Sequence, residues 1–146
     1  MATIERFEDI LGWQKARRVS GAIYELTNQG IFAKDFGLRD QIRRSSVSIM
    51  ANIAEGFGRR SDKEFANFLN YAHGSVAETQ SHLYVALDLA YHSQEQFGTT
   101  YQMLDETSRM LMGFSKHLRG ITKKTPDSKD STDSTDSPDS PDSQDS

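Results

Sequence analysis

The side chains with the most chemical promise are arginines. Arg43 and Arg44 stand together, Arg59 and Arg60 follow with Lys63 close behind, and Lys15, Arg17 and Arg18 form a third group. Guanidinium forks match phosphate oxygens in geometry and charge, so such clusters suit a nucleic-acid backbone. Between residues 37 and 60 five arginines face only Asp40 and Glu55, a local charge of +3. Residues 61–120 carry four basic and seven acidic groups, a local −3, so charge is polarised along the chain. Arg59-Arg60-Ser61 also falls where a helix is expected to begin, and the unpaired amides there favour an anion. The competing reading is a set of solvated helix faces with intrahelical pairs such as Asp40 and Arg44.

Other chemistries find less support. Carboxylate metal sites in four-helix bundles need inward Glu residues and Glu-x-x-His pairs. Here no Glu has a His three residues later. Glu78/His82 and Asp88/His92 are four apart and read as exposed polar pairs, while His73 and His117 have no matching partner. The absence of cysteine removes thiolate metal sites, cysteine nucleophiles and disulfides. There is no G-x-S-x-G elbow, and Gly56-Phe57-Gly58 follows a helical pattern where a nucleotide fingerprint must precede one. No catalytic residue, metal or cofactor is expected, and the protein is not expected to be an enzyme.

The elements that must carry the arginines are helices. All three prolines lie beyond residue 125, and apolar residues before them alternate spacings of three and four. The spacing predicts helices over about 8–27 (Leu11, Trp13, Ala16, Val19, Ile23, Leu26) and 38–57 (Leu38, Ile42, Ser45, Ile49, Ile53, Phe57). It predicts two more over 62–91 (Leu69, Ala72, Val76, Thr79, Leu83, Ala86, Ala90) and 94–119 (Leu104, Thr107, Leu111, Phe114, Leu118). Ser61 with Glu64, and Ser93 with Gln96, are capping-box pairs. Gly56 and Gly58 would supply a left-handed stop to the second helix. Short connections force antiparallel neighbours, so the expected fold is all-α: an antiparallel up-down four-helix bundle over residues 1–121.

Two helices are apolar beyond one face. Val47, Met50 and Ala54 widen the second, and Tyr71, Val85 and Leu89 lie opposite the seam of the third, with Glu78 and His82 among them. A monomeric bundle does not need this second stripe, which points to a subunit interface. From about residue 122 the character changes to an Asp/Ser triplet repeat that lacks aromatic and aliphatic side chains from Asp127 onward and is expected to be disordered. Through Gly120 there are 14 basic and 14 acidic residues, so the formal charge of −4 belongs to that tail. It does not argue against a nucleic-acid partner for the bundle. The N-terminus lacks the pattern of a signal peptide, and no apolar run approaches the roughly 18 residues of a membrane span. A soluble, cytoplasmic protein without a membrane partner is expected.

FEDILGWQKARR, FGLRDQIRRSSVSIMANIAEGFGRR, EFANFLNYAHGSVAET and RMLMGFSKHLR together resemble the 23S ribosomal RNA intervening-sequence proteins, over about residues 5–119. The resemblance implies a small bacterial four-helix bundle similar in fold to the accessory variability proteins of diversity-generating retroelements. With that it implies a homopentameric ring, a basic surface, association with nucleic acid and a reverse transcriptase, and no enzymatic activity. By position, the family's basic pair after QI is Arg43-Arg44, the arginine after NIAEG-x-G is Arg59, and Asn52, Glu55 and Gly56 match NIAEG itself. Many relatives carry proline where this chain has Met50, which implies a straighter second helix here.

The expected function is therefore a non-enzymatic homo-oligomer, pentameric by resemblance. It would bind RNA or DNA through Arg43, Arg44, Arg59, Arg60, Lys63, Arg17 and Arg18, with a reverse transcriptase or ribosomal RNA as its setting. The alternative is a scaffold that binds a partner protein and no nucleic acid.

Overall fold

The computed structural model describes residues 3–123, with side chains through Gly120. A 3-10 turn at Phe7–Asp9 leads into α1 (Leu11–Leu26), and a second at Phe32–Lys34 leads into α2 (Phe36–Gly58). α3 (Asp62–Asp88) and α4 (Gln94–Lys123) complete the described chain, which contains no strand. α1 packs on α2, α2 on α3, α3 on α4 and α4 back on α1. That closed cycle is an up-down four-helix bundle. Residues 124–146, which hold nearly all of the expected Asp/Ser tail, lie outside the described residues.

The three-and-four spacing builds the core. Ala16, Val19 and Ile23, then Ile42, Ile49 and Ile53, then Leu69, Ala72, Val76, Leu83 and Ala86, then Leu104 and Leu111 are each at most 1% exposed. Leu11 does not join them: it is 66% exposed, and Ile10, just ahead of the helix, fills the core position at 2%. Between α2 and α3 the contact is hydroxylic, with Ser45 and Thr79 oxygens 2.7 Å apart and Ser75 donating to Ser48 at 3.1 Å. Small polar side chains let these two helices approach closely without leaving a buried oxygen unpaired.

Helix ends are where local chemistry overrules periodicity. α1 starts at Leu11 rather than residue 8 because Asp9 folds the preceding segment, its carboxylate accepting from the Glu5 and Arg6 amides. Asp35 caps α2 at its Oδ1 from the Leu38 amide, which moves that start forward to Phe36. α2 then runs unbroken through Met50. Its end is not the expected glycine stop: Arg60 takes the left-handed conformation, with φ of 59°. Gly56 stays inside the helix and is buried. A Cβ there would sit 2.6 Å from the Phe68 Cβ, so its small size serves helix packing. α3 stops at Asp88, not 91, although the apolar pattern continues to Ala90. Ala90 is itself left-handed, at φ 59°. Its amide bonds the Leu87 carbonyl and the Tyr91 amide bonds the Ala86 carbonyl, both at 2.9 Å, the paired closure of a Schellman motif. Ser93 and Gln96 form a complete capping box. Ser61 accepts from the Glu64 amide at 3.3 Å, but the Glu64 carboxylate turns to Arg59 instead. α4 continues to Lys123, four residues past the expected end.

Candidate nucleic-acid interface

One stripe of α1 holds Trp13, Arg17 and Tyr24, whose spacings of four and seven keep them on one side of the helix. This side meets α2. Ser20 donates to the Ser46 carbonyl at 3.2 Å, and Arg43 Nε donates to Thr27 Oγ1 at 2.8 Å. That bond lays the Arg43 guanidinium over the Tyr24 ring, 4.4 Å from its centroid. Arg17 lies over Trp13 at 5.8 Å in the same manner. Tyr24, Asp40, Arg43, Arg44 and Val47 line one cleft, and Trp13, Gln14, Arg17 and Arg18 line another. Asp40 does not pair with Arg44 as its spacing suggests; it pairs with Arg39 at 3.1 Å. Among the described residues Arg17, Arg18, Arg43 and Arg44 therefore have no carboxylate partner. Lys15 is different. It forms an ion pair of 2.6 Å with Glu106 of α4, and this hydrogen bond and charge hold the Glu106 carboxyl below the usual glutamate range.

The second group of cations lies at the other end of α2. Sixteen helical residues separate Arg43 from Arg59, about 24 Å along the axis, so the structure does not bring the two groups together. Arg59 is committed locally: it bonds Glu55 at 2.9 Å, approaches Glu64 at 3.8 Å and covers the Phe68 ring at 4.9 Å. It ties the end of α2 to the start of α3. Arg60 and Lys63 are exposed and without ion pairs among the described residues. Arg60 lines a cavity of about 860 Å³ with Ser61, Asp62, Phe65 and His117.

The model of the 23S rRNA-intervening sequence protein family matches residues 8–113, nearly all of the bundle. The chain belongs to this family. It is also similar to a crystal structure from Bacteroides thetaiotaomicron VPI-5482, a protein of unknown function from the S23 ribosomal protein family. That likeness has a TM-score of 0.67 at 28% identity, covering 73% of this chain and 99% of the other. No curated protein matches.

In this intervening-sequence family member the two apolar stripes do not form one surface. Met50 is half-buried by the bundle itself, its sulfur 3.6 Å from the Ser20 hydroxyl, and Ala54 is half-buried one turn on. Val47 is 41% exposed and belongs to the arginine cleft. These three lie on the α1 flank of α2. Tyr71, Val85 and Leu89 are 57%, 45% and 51% exposed. Tyr71, Glu78 and His82 each follow by three residues a side chain that touches α2 (Phe68, Ser75 or Thr79), which puts their stripe on the opposite flank.

The histidines depart from their expected pairings. His82 is 3.6 Å from Glu78 but only 15% exposed, and its Nε2 has no hydrogen-bond partner among the described residues. His92 is no exposed partner of Asp88: it is buried, with ring nitrogens 3.2 Å from the Leu83 carbonyl and 3.3 Å from the Ser93 carbonyl. His73 bonds the Ser108 hydroxyl at 2.7 Å across α3 and α4, a contact that spacing within one helix could not reveal. Among the described residues no cluster of His, Asp and Glu could hold a metal ion, and no helix is long and apolar enough to cross a membrane.

Proposed function

We propose that this protein is a non-enzymatic homo-oligomer that binds nucleic acid, RNA or DNA, along the α1/α2 flank. The observation that carries the reading is the pair of arginine–aromatic stacks, Arg17 over Trp13 and Arg43 over Tyr24, beside Arg18 and Arg44, which have no ion pair among the described residues. Single-stranded nucleic acids are held by cationic grooves that track the phosphates and by planar groups on which bases stack. Both are present on this flank, and Asp40, the carboxylate that lines the Arg43/Arg44 cleft, is paired with Arg39. Self-association through Tyr71 and Val85 of α3 and Leu89 at its C-cap lies on the far side of α2 from the arginines and leaves them open. Repetition then multiplies a weak patch by the number of subunits. A ring of five, and a setting with a reverse transcriptase or ribosomal RNA, follow from the family resemblance.

Anisotropy of a labelled RNA of about 20 nucleotides tests this. Arg43→Ala with Arg44→Ala should weaken binding about tenfold or more, while Arg59→Ala should leave it nearly unchanged. Binding lost with Arg59 and retained without Arg43 and Arg44 would place the site elsewhere. A wild-type chain that binds no RNA or DNA at low salt would overturn the function.

A further inference from the structure

We propose that the C-terminal Asp/Ser repeat is an intramolecular competitor for the α1/α2 arginine flank, a regulation that rests on the nucleic-acid reading above. The bundle has as many acids as bases through Gly120, but the acids that form ion pairs do so with other cations, as Asp40 does with Arg39 and Glu106 with Lys15, and among the described residues none pairs with Arg17, Arg18, Arg43 or Arg44. The tail offers these four arginines a dense source of counter-charge. Seven aspartates recur at every third residue from Asp127 to Asp145, and no Lys or Arg follows Lys129. Asp carboxylates are acceptors for the same guanidinium forks that fit phosphate.

The geometry permits the contact. α4 packs on α1, and the Lys15–Glu106 pair fixes their register beside Arg17 and Arg18. From Glu106 to the helix end at Lys123 is about 25 Å, and from Lys15 to the level of Thr27, where Arg43 is bonded, about 18 Å. The 23 residues beyond Lys123 can extend to about 75 Å, enough to lay successive aspartates from Arg17 to Arg43. A tether of this kind gives the tail a local concentration of order millimolar. Even a weak carboxylate–arginine contact then fills the flank part of the time, and nucleic acid must displace it.

Two measurements on the full-length chain test this, comparing wild type with a variant in which all seven tail aspartates are replaced by Asn. The first needs no nucleic acid. Trp13 is the single tryptophan and lies beneath Arg17. A synthetic peptide of residues 124–146 should shift its emission saturably in the Asn variant and little in the wild type, whose flank is already visited. The second is affinity for the labelled RNA at about 50 mM salt. The Asn variant should bind about fivefold tighter, and Arg17→Gln with Arg43→Gln and Arg44→Gln should erase that difference. Equal affinities would overturn the competition while leaving RNA binding intact. So would a gain that survives loss of the three arginines, since general charge repulsion would then explain it. If neither chain binds RNA, the functional reading fails by itself. The Trp13 titration still decides where the tail docks: a silent Trp13 removes it from the flank.

Discussion

Arg43 and Arg59 look alike in the sequence, each followed by a second arginine, and the structure gives them different partners. The signal that separates them is Glu55, four residues before Arg59, which claims that guanidinium at 2.9 Å. Asp40, three residues before Arg43, pairs with Arg39, and Arg43 is held instead by Thr27 and Tyr24 of the α1 segment, a partnership that no spacing rule within α2 can reveal. Trp13 under Arg17 was within reach, being an i,i+4 pair. Glycines show the same divergence of role. Gly56→Ala places a methyl group 2.6 Å from the Phe68 Cβ and should cost about 1–3 kcal/mol in urea unfolding. Gly113→Ala on α4 meets nothing within 4 Å and should stabilise by about 0.5–1 kcal/mol through helix propensity. If the two variants unfold at the same urea concentration, the close approach of α2 and α3 at Gly56 is wrong.

Among the helices, apolar spacing defined the interiors well and the ends poorly. Burial repeats every three or four residues through Ile42, Ile49 and Ile53 without exception, because one buried stripe decides it. An end is decided by whichever side chain or carbonyl closes the last turn, as Asp9, Asp35 and Ala90 do here. Ala90 holds a conformation that favours glycine, so Ala90→Gly should raise stability by about 1 kcal/mol; a loss of stability would contradict the left-handed cap. The α1–α4 contact makes a pH prediction. Lys15 depresses the Glu106 carboxyl in the folded state, so unfolded chains bind the additional proton. The contribution is present above the unfolded value, about 4.3, and is lost as pH falls through the depressed folded one. The melting temperature of Lys15→Met should therefore fall less than that of wild type between pH ~6 and ~3. Parallel acid limbs would show that the pair contributes nothing.

For the whole molecule, the four helices and their cyclic packing were legible because short connections leave few alternatives. The division of surface was not, because which flank of α2 a residue occupies depends on which helices lie beside it. Assembly through the α3 flank predicts that Tyr71→Glu with Leu89→Glu converts an oligomer into a monomer of 16.4 kDa by light scattering, with the helical signal unchanged. A wild-type monomer at micromolar concentration would refute self-association. Nucleic-acid binding by the opposite flank is most directly exposed by its salt dependence. Each cation on a phosphate releases counterions, so the logarithm of the association constant falls linearly with the logarithm of salt concentration. Replacing Arg17, Arg43 and Arg44 with Gln should flatten that slope by about two to three and weaken binding at every salt concentration. A variant whose affinity and slope both match those of the wild type would contradict an arginine flank that holds nucleic acid.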